Sequence, residues 1–129
     1  MPHLSIDYSP SLEERADIPA LCTALHQIMV NADVFPTAGI RIRAHKADHA
    51  IVADGHAEND FLAMTLSVGA GRSTDQLRAA GDALFSVAQE VLKNPLATPH
   101  FALSLEIRII NPDLSWKDTP IHARLTGHF

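Results

Sequence analysis

One pattern constrains this chain more than any other: a strand, a helix and a strand occur in that order twice, about sixty residues apart. In "HLSIDY" the residues Leu4, Ile6 and Tyr8 alternate with Ser5 and Asp7, which predicts a strand with one buried face. Ile18, Leu21, Leu25, Ile28 and Met29 then recur at three- and four-residue spacing, with Asp17 placed to cap and Pro19 in the first turn. That spacing predicts a helix from about Asp17 to Asn31. "AGIRIRAH" alternates Ile40 and Ile42 against Arg41 and Arg43, a second strand with one cationic face. The plan then repeats. "FLAMTLSV" alternates Leu62, Met64, Leu66 and Val68, a glycine turn follows, and Ser73 with Gln76 forms a capping box. The helix after it would bury Leu77, Ala80, Leu84, Ala88 and Val91 and stop near "KNP", before a last strand, "FALSLEIRII". Between the halves, "ADHAIVADG" reads as a short strand or hairpin, and beyond Pro112 the chain reads as a polar tail.

Two units of parallel strands joined by right-handed crossovers build one sheet with both helices on one face, an α+β domain of two pseudo-repeats, about 1–57 and 58–129. No chain remains to cover the sheet's other face. An open face of Leu, Ile and Met would be costly in water, so the chain is expected to associate with copies of itself.

A net charge of −5 with only 10 Lys and Arg argues against nucleic acid as a partner, since phosphate recognition needs clustered cations. Cys22 is the single cysteine, which excludes an internal disulfide, and no basic-then-apolar leader opens the chain, so a cytoplasmic setting is expected. Even "IPALCTALHQIMV" falls short of the roughly 18 apolar residues of a membrane span.

Several residues have chemistry to offer. Pro2 stands directly behind the initiator methionine, so removal of Met1 would leave a secondary amine at the start of the first strand. Burial and nearby cations both disfavour an ammonium ion, and beside Arg41, Arg43 or Arg72 such an amine can serve as a base near neutral pH. The bland alternative is a proline that merely starts a strand, and for the arginines ordinary surface pairing. Guanidinium groups bind carboxylates through paired hydrogen bonds, which in an acidic protein suits a small acidic substrate. "GAGRS" lacks the Gly-Lys-Ser/Thr ending of a phosphate-binding loop. His45, His49 and His56 lie in a polar stretch without an HExxH motif, so they are expected to be solvated loop histidines rather than metal ligands. Cys22, within the first helix, reads as a small buried hydrophobe.

Together the N-terminal proline, the duplicated plan, "FPTAGIRIRAH" and "MTLSVGAGRS" resemble the tautomerase superfamily, and within it the 5-carboxymethyl-2-hydroxymuconate isomerases. "ADIPAL", "AGDALF", "ALSLEI" and "NPDLSWK" extend the likeness over nearly the whole chain. The second half also resembles a 4-oxalocrotonate tautomerase subunit, with one departure: Leu62 stands near the matching strand start where that enzyme has its proline. The resemblance implies a homotrimer with a four-stranded mixed sheet, and a cofactor-free isomerase acting on a polycarboxylate dienol in homoprotocatechuate breakdown. It implies Pro2 as general base and Arg41 and Arg72 as the groups that hold carboxylates and the developing oxyanion, with Arg43 and Phe35 on the pocket wall. Two alternatives stay open: a tautomerase for another oxo acid, and a non-catalytic trimeric binding protein resembling macrophage migration inhibitory factor.

Overall fold

The computed structural model describes residues 1–128. Four strands form one sheet: β1 (His3–Tyr8), β2 (Arg41–Lys46), β3 (Asp60–Gly69) and β4 (Phe101–Ile110), in the order β2-β1-β3-β4. β1 runs parallel to β2 and β3 parallel to β4, while the central pair β1 and β3 is antiparallel, so the sheet is mixed. Each parallel pair is bridged by a long helix, α1 (Ile18–Asn31) or α2 (Thr74–Val91). The helices pack against each other and on the sheet.

The helix starts follow from local chemistry. Asp17 accepts a hydrogen bond from Ala20 N at 2.9 Å, and α1 buries Ile18, Leu21, Leu25 and Met29. Ser73 and Gln76 exchange the two bonds of a capping box at 3.1 and 2.9 Å, and α2 buries Ala80, Leu84 and Ala88. Leu77 and Val91, at the margin of that stripe, are half-buried. The short α3 (Lys93–Leu96) then turns the chain towards β4.

The register places Leu4 between Ile42 and Leu66, and Ile6 between Ala44 and Met64, so one face of the sheet is continuous with the core beneath the helices. This corrects the expectation of an open face of Leu, Ile and Met. Strict alternation sends Leu4, Ile6, Tyr8, Leu62, Met64, Leu66 and Val68 under the helices, and the opposite face carries Phe61 together with Ser5, Asp7, Ala63, Thr65, Ser67, Ser104 and Glu106. Two further expectations fail. Residues 47–59 contain no strand, because the chain reverses through Ala53 (φ 55°) and Gly55 (φ 83°) and is tied by Asn59 to Val52 O and Asp54. The tail after β4 is structured, with a 3-10 turn (Pro112–Leu114) and α4 (Pro120–Leu125), which packs on the 3-10 turn Thr37–Gly39 before β2.

At the far end of the sheet, Asp60 is almost fully buried and accepts hydrogen bonds from Ser9 Oγ and Ser11 Oγ, each at 2.6 Å, and from the Arg15 guanidinium. Burial alone would raise its pKa. The hydroxyls and the guanidinium outweigh that and hold the carboxyl below its ordinary range.

Candidate active site

The start of β1 is where the chemistry gathers. Pro2 is buried, and its carbonyl accepts from Arg41 N at 3.1 Å, so the ladder to β2 begins at a residue with no N–H to lose. The Thr37–Gly39 turn presses on it closely. A Cβ on Gly39 would sit 3.0 Å from Pro2 Cδ and 3.2 Å from Met1 Cα, so only glycine leaves room for the chain to enter the strand there.

Arg41 opens β2 opposite His3. Its side chain turns back towards the chain terminus, donating to Gly39 O at 3.0 Å and lying 3.2 Å from His3 Nε2 and 3.9 Å from Met1 Sδ. A guanidinium facing Nε2 requires the lone pair of a neutral imidazole. The His3 pKa is accordingly lowered, first by burial and then by Arg41, the terminal amine and Arg43. Arg72 arrives from the other half of the fold. Gly71 (φ 114°) turns the chain after β3, and Arg72 donates through Nε to Val34 O at 2.7 Å and through NH1 to Gly69 O at 3.1 Å. Its guanidinium lies 5.8 Å from the ring centroid of buried Phe35. The glycine turn that superficially suggests a phosphate loop serves to aim this arginine.

These groups converge on the terminal amine, which in the unprocessed chain belongs to Met1. Its pKa is lowered, first by burial and then by the positive charges of Lys117, Arg72 and Arg41. Beside it opens a cavity of about 360 Å³ lined by Met1, Pro36, Ala38, Gly39, Lys117, Thr119 and His122.

The structure thus brings Pro2, Arg41, Arg72 and Phe35 together at one end of the sheet. Arg43 stands apart: it is exposed, two residues along β2, beside Ser5 in the register. The histidines scatter, with His45 on β2 and His49 in the following loop, while His56 stacks on His100 with ring centroids 4.3 Å apart. Donor atoms of His56, Glu58 and His100 lie within 4.8 Å of one another. Two rings stacked 25° from parallel direct their in-plane lone pairs side by side rather than at one point, and His56 Nδ1 already accepts from Glu58 N. Cys22 is half-buried in α1, where burial pushes its thiol pKa up. Sequence reasoning gave no role to His3, Gly39, Lys117, Thr119 or His122, although "HLSIDY", "FPTAGIRIRAH" and "NPDLSWK" contain the first three of them.

A family model described as 5-carboxymethyl-2-hydroxymuconate isomerase matches residues 2–125. The 5-carboxymethyl-2-hydroxymuconate Delta-isomerase of Escherichia coli is 35% identical over 123 residues, covering 95% of this chain and 98% of that protein. The crystal structure of a 5-carboxymethyl-2-hydroxymuconate isomerase from Deinococcus radiodurans superposes with a TM-score of 0.89 at 35% identity, covering 96% of this chain and 93% of that one. A more distant likeness, to a fused 4-OT symmetric trimer (TM-score 0.61, 17% identity, 91% and 93% covered), shows the fold alone. With the matched region running from Pro2 through α4, the chain belongs to the 5-carboxymethyl-2-hydroxymuconate isomerase family.

Proposed function

We propose that this isomerase converts 5-carboxymethyl-2-hydroxymuconate into its unsaturated 2-oxo isomer without a cofactor, using the amine of Pro2 as general base once Met1 is removed. The observation that carries the reading is the convergence of a pKa-lowered chain-terminal amine with Arg41 and Arg72. While Met1 is attached, the nitrogen of Pro2 is an amide whose lone pair is delocalised into the carbonyl, so it cannot accept a proton. Freed, it is a secondary amine in a half-buried, cationic corner, and both influences favour the neutral, basic form.

The amine takes the proton of the 2-hydroxyl. The O–H electron pair becomes the C2 carbonyl, the conjugated double bonds shift by one position, and the new ammonium returns its proton to carbon 5. Negative charge develops along the dienolate between the two proton transfers. Arg41 and Arg72 stabilise it and also hold carboxylates, which binds the substrate and keeps the base deprotonated. Phe35 buttresses Arg72 by lying against its guanidinium. Arg43, further along the exposed face of β2, suits a place on the approach to the pocket.

We further read the two strand–helix–strand units as a duplication within one domain, and the chain as a cytoplasmic homotrimer in homoprotocatechuate breakdown. Exposed Leu114, Trp116, Ile121 and Leu125 on the tail are what a copy of the chain would cover.

Intact-mass measurement with an isomerase assay tests the mechanism. The active species is expected to begin at Pro2, and Pro2→Ala, which keeps only a primary amine, to lose on the order of 10²-fold in kcat. Full activity of Pro2→Ala, or of a chain whose mass includes Met1, overturns the assignment.

A further inference from the structure

The substrate assigned above carries three carboxylates, two at the ends of the muconate chain and one on the carboxymethyl branch. Arg41 and Arg72 are two cations. A third acts on the same terminal amine: Lys117, in the segment between the Pro112–Leu114 turn and α4, lines the cavity beside that amine together with Met1 and Gly39. That segment is anchored, because α4 packs on the Thr37–Gly39 turn that also borders Pro2. The other two lysines are spoken for, Lys46 by Glu13 and Lys93 by Glu90, whereas Lys117 forms no ion pair among the described residues. An ammonium with no ion-pair partner among the described residues thus lines the cavity beside the terminal amine.

The two kinds of cation suit different carboxylates. Arg41 and Arg72 have guanidinium forks fixed by backbone carbonyls, which match carboxylates held in a planar conjugated chain. Lys117 is a point charge on a flexible stem, suited to a carboxylate that swings on a single methylene. We propose that Lys117 is a specificity-determining residue that binds the carboxymethyl carboxylate and so makes this site prefer a tricarboxylate dienol over a dicarboxylate one. The proposal rests on the function assigned above. The charges around the amine agree with it, since after burial Lys117 is the strongest influence lowering that pKa, ahead of Arg72 and Arg41. His3 on β1 and His122 on α4 complete the titratable groups at the corner.

The test compares protein beginning at Pro2 with its Lys117→Met and Lys117→Arg variants on 5-carboxymethyl-2-hydroxymuconate and on 2-hydroxymuconate, which lacks the branch. Lys117→Met is expected to raise KM for the branched substrate about tenfold with little change in kcat, and to leave kcat/KM for the unbranched one within about threefold. Lys117→Arg is expected to restore most of the preference, and the acid limb of the Lys117→Met pH profile to move to higher pH. Equal losses on both substrates, or no loss on either, overturn the role of Lys117 while leaving the isomerase assignment intact. Wild-type protein inactive on both dienols sinks that assignment and the Lys117 proposal with it.

Discussion

Gly39 governs how deeply the start of β1 can sit. Because a Cβ at that position would lie 3.0 Å from Pro2 Cδ, Gly39→Val must push either the turn or the proline outward. A displacement of that kind costs on the order of 10²-fold in kcat/KM, and circular dichroism should show the fold intact. Arg41→Ala removes a fixed donor from beside the amine, with an expected loss of about 3–4 kcal/mol of transition-state stabilisation, read as the fall in kcat/KM. Arg72→Gln takes away a positive charge that lowers the pKa of the terminal amine of Met1 and, on the proposed mechanism, would lower that of the Pro2 amine that replaces it, so the base's pKa is expected to rise. A base must be deprotonated to work, so the acid limb of the pH–rate profile should move to higher pH; an unmoved limb would show that Arg72 does not act on the base. Pro2, Arg41, Arg72 and Phe35 are legible in the sequence because each sits in a short motif whose neighbours dictate its placement. Lys117 and His3 are not, because nothing in a polar tail or a lone histidine on the first strand says what it will fold against.

Among the elements, the turn leaving β1 is locked by the buried carboxylate of Asp60, which accepts from two serines and Arg15. Removing its charge leaves Arg15 facing an amide. With Arg15 29% exposed, Asp60→Asn is expected to cost about 2 kcal/mol, below the ~3–5 kcal/mol of a fully buried pair. The pH dependence has a definite sign. A carboxyl with a depressed folded-state pKa stabilises the fold above its ordinary pKa of 3.8, and that contribution is lost as pH falls through the folded value. Urea midpoints of wild type and Asp60→Asn should therefore differ most at pH 7 and converge in strong acid. The helix caps, Asp17 and the Ser73–Gln76 box, can be read directly because they are decided within four residues. The Asp60 lock cannot: its partners lie 45 to 51 residues away in sequence. The loop over 47–59 misleads for a related reason, since "AIV" has strand propensity but the positive φ at Ala53 and Gly55 prevents pairing.

For the whole molecule, the exposed apolar side chains that the proposed trimer would cover lie on the tail. Alternation alone does not say which face the helices will take, and the face they leave carries mostly small and polar residues, with Phe61 among them. The tail instead exposes Trp116, 86% accessible, beside Leu114. Sedimentation of the wild type should give three times the 14.0 kDa chain mass, and Trp116→Glu should shift the distribution towards single chains; a monomeric wild type would count against the trimer. The cavity also joins the two ends of the chain, with Met1, Lys117 and His122 of α4 all in its lining. During synthesis, at ~5–20 residues per second, about ten seconds separate these parts as they leave the ribosome. Met1 is therefore open to removal while the cavity still lacks Lys117 and α4, and once α4 docks the same methionine is half-buried in its lining. On the mechanism proposed above, processing then competes with completion of the chain, and protein that folds with Met1 still attached holds Pro2 as an amide that cannot act as a base.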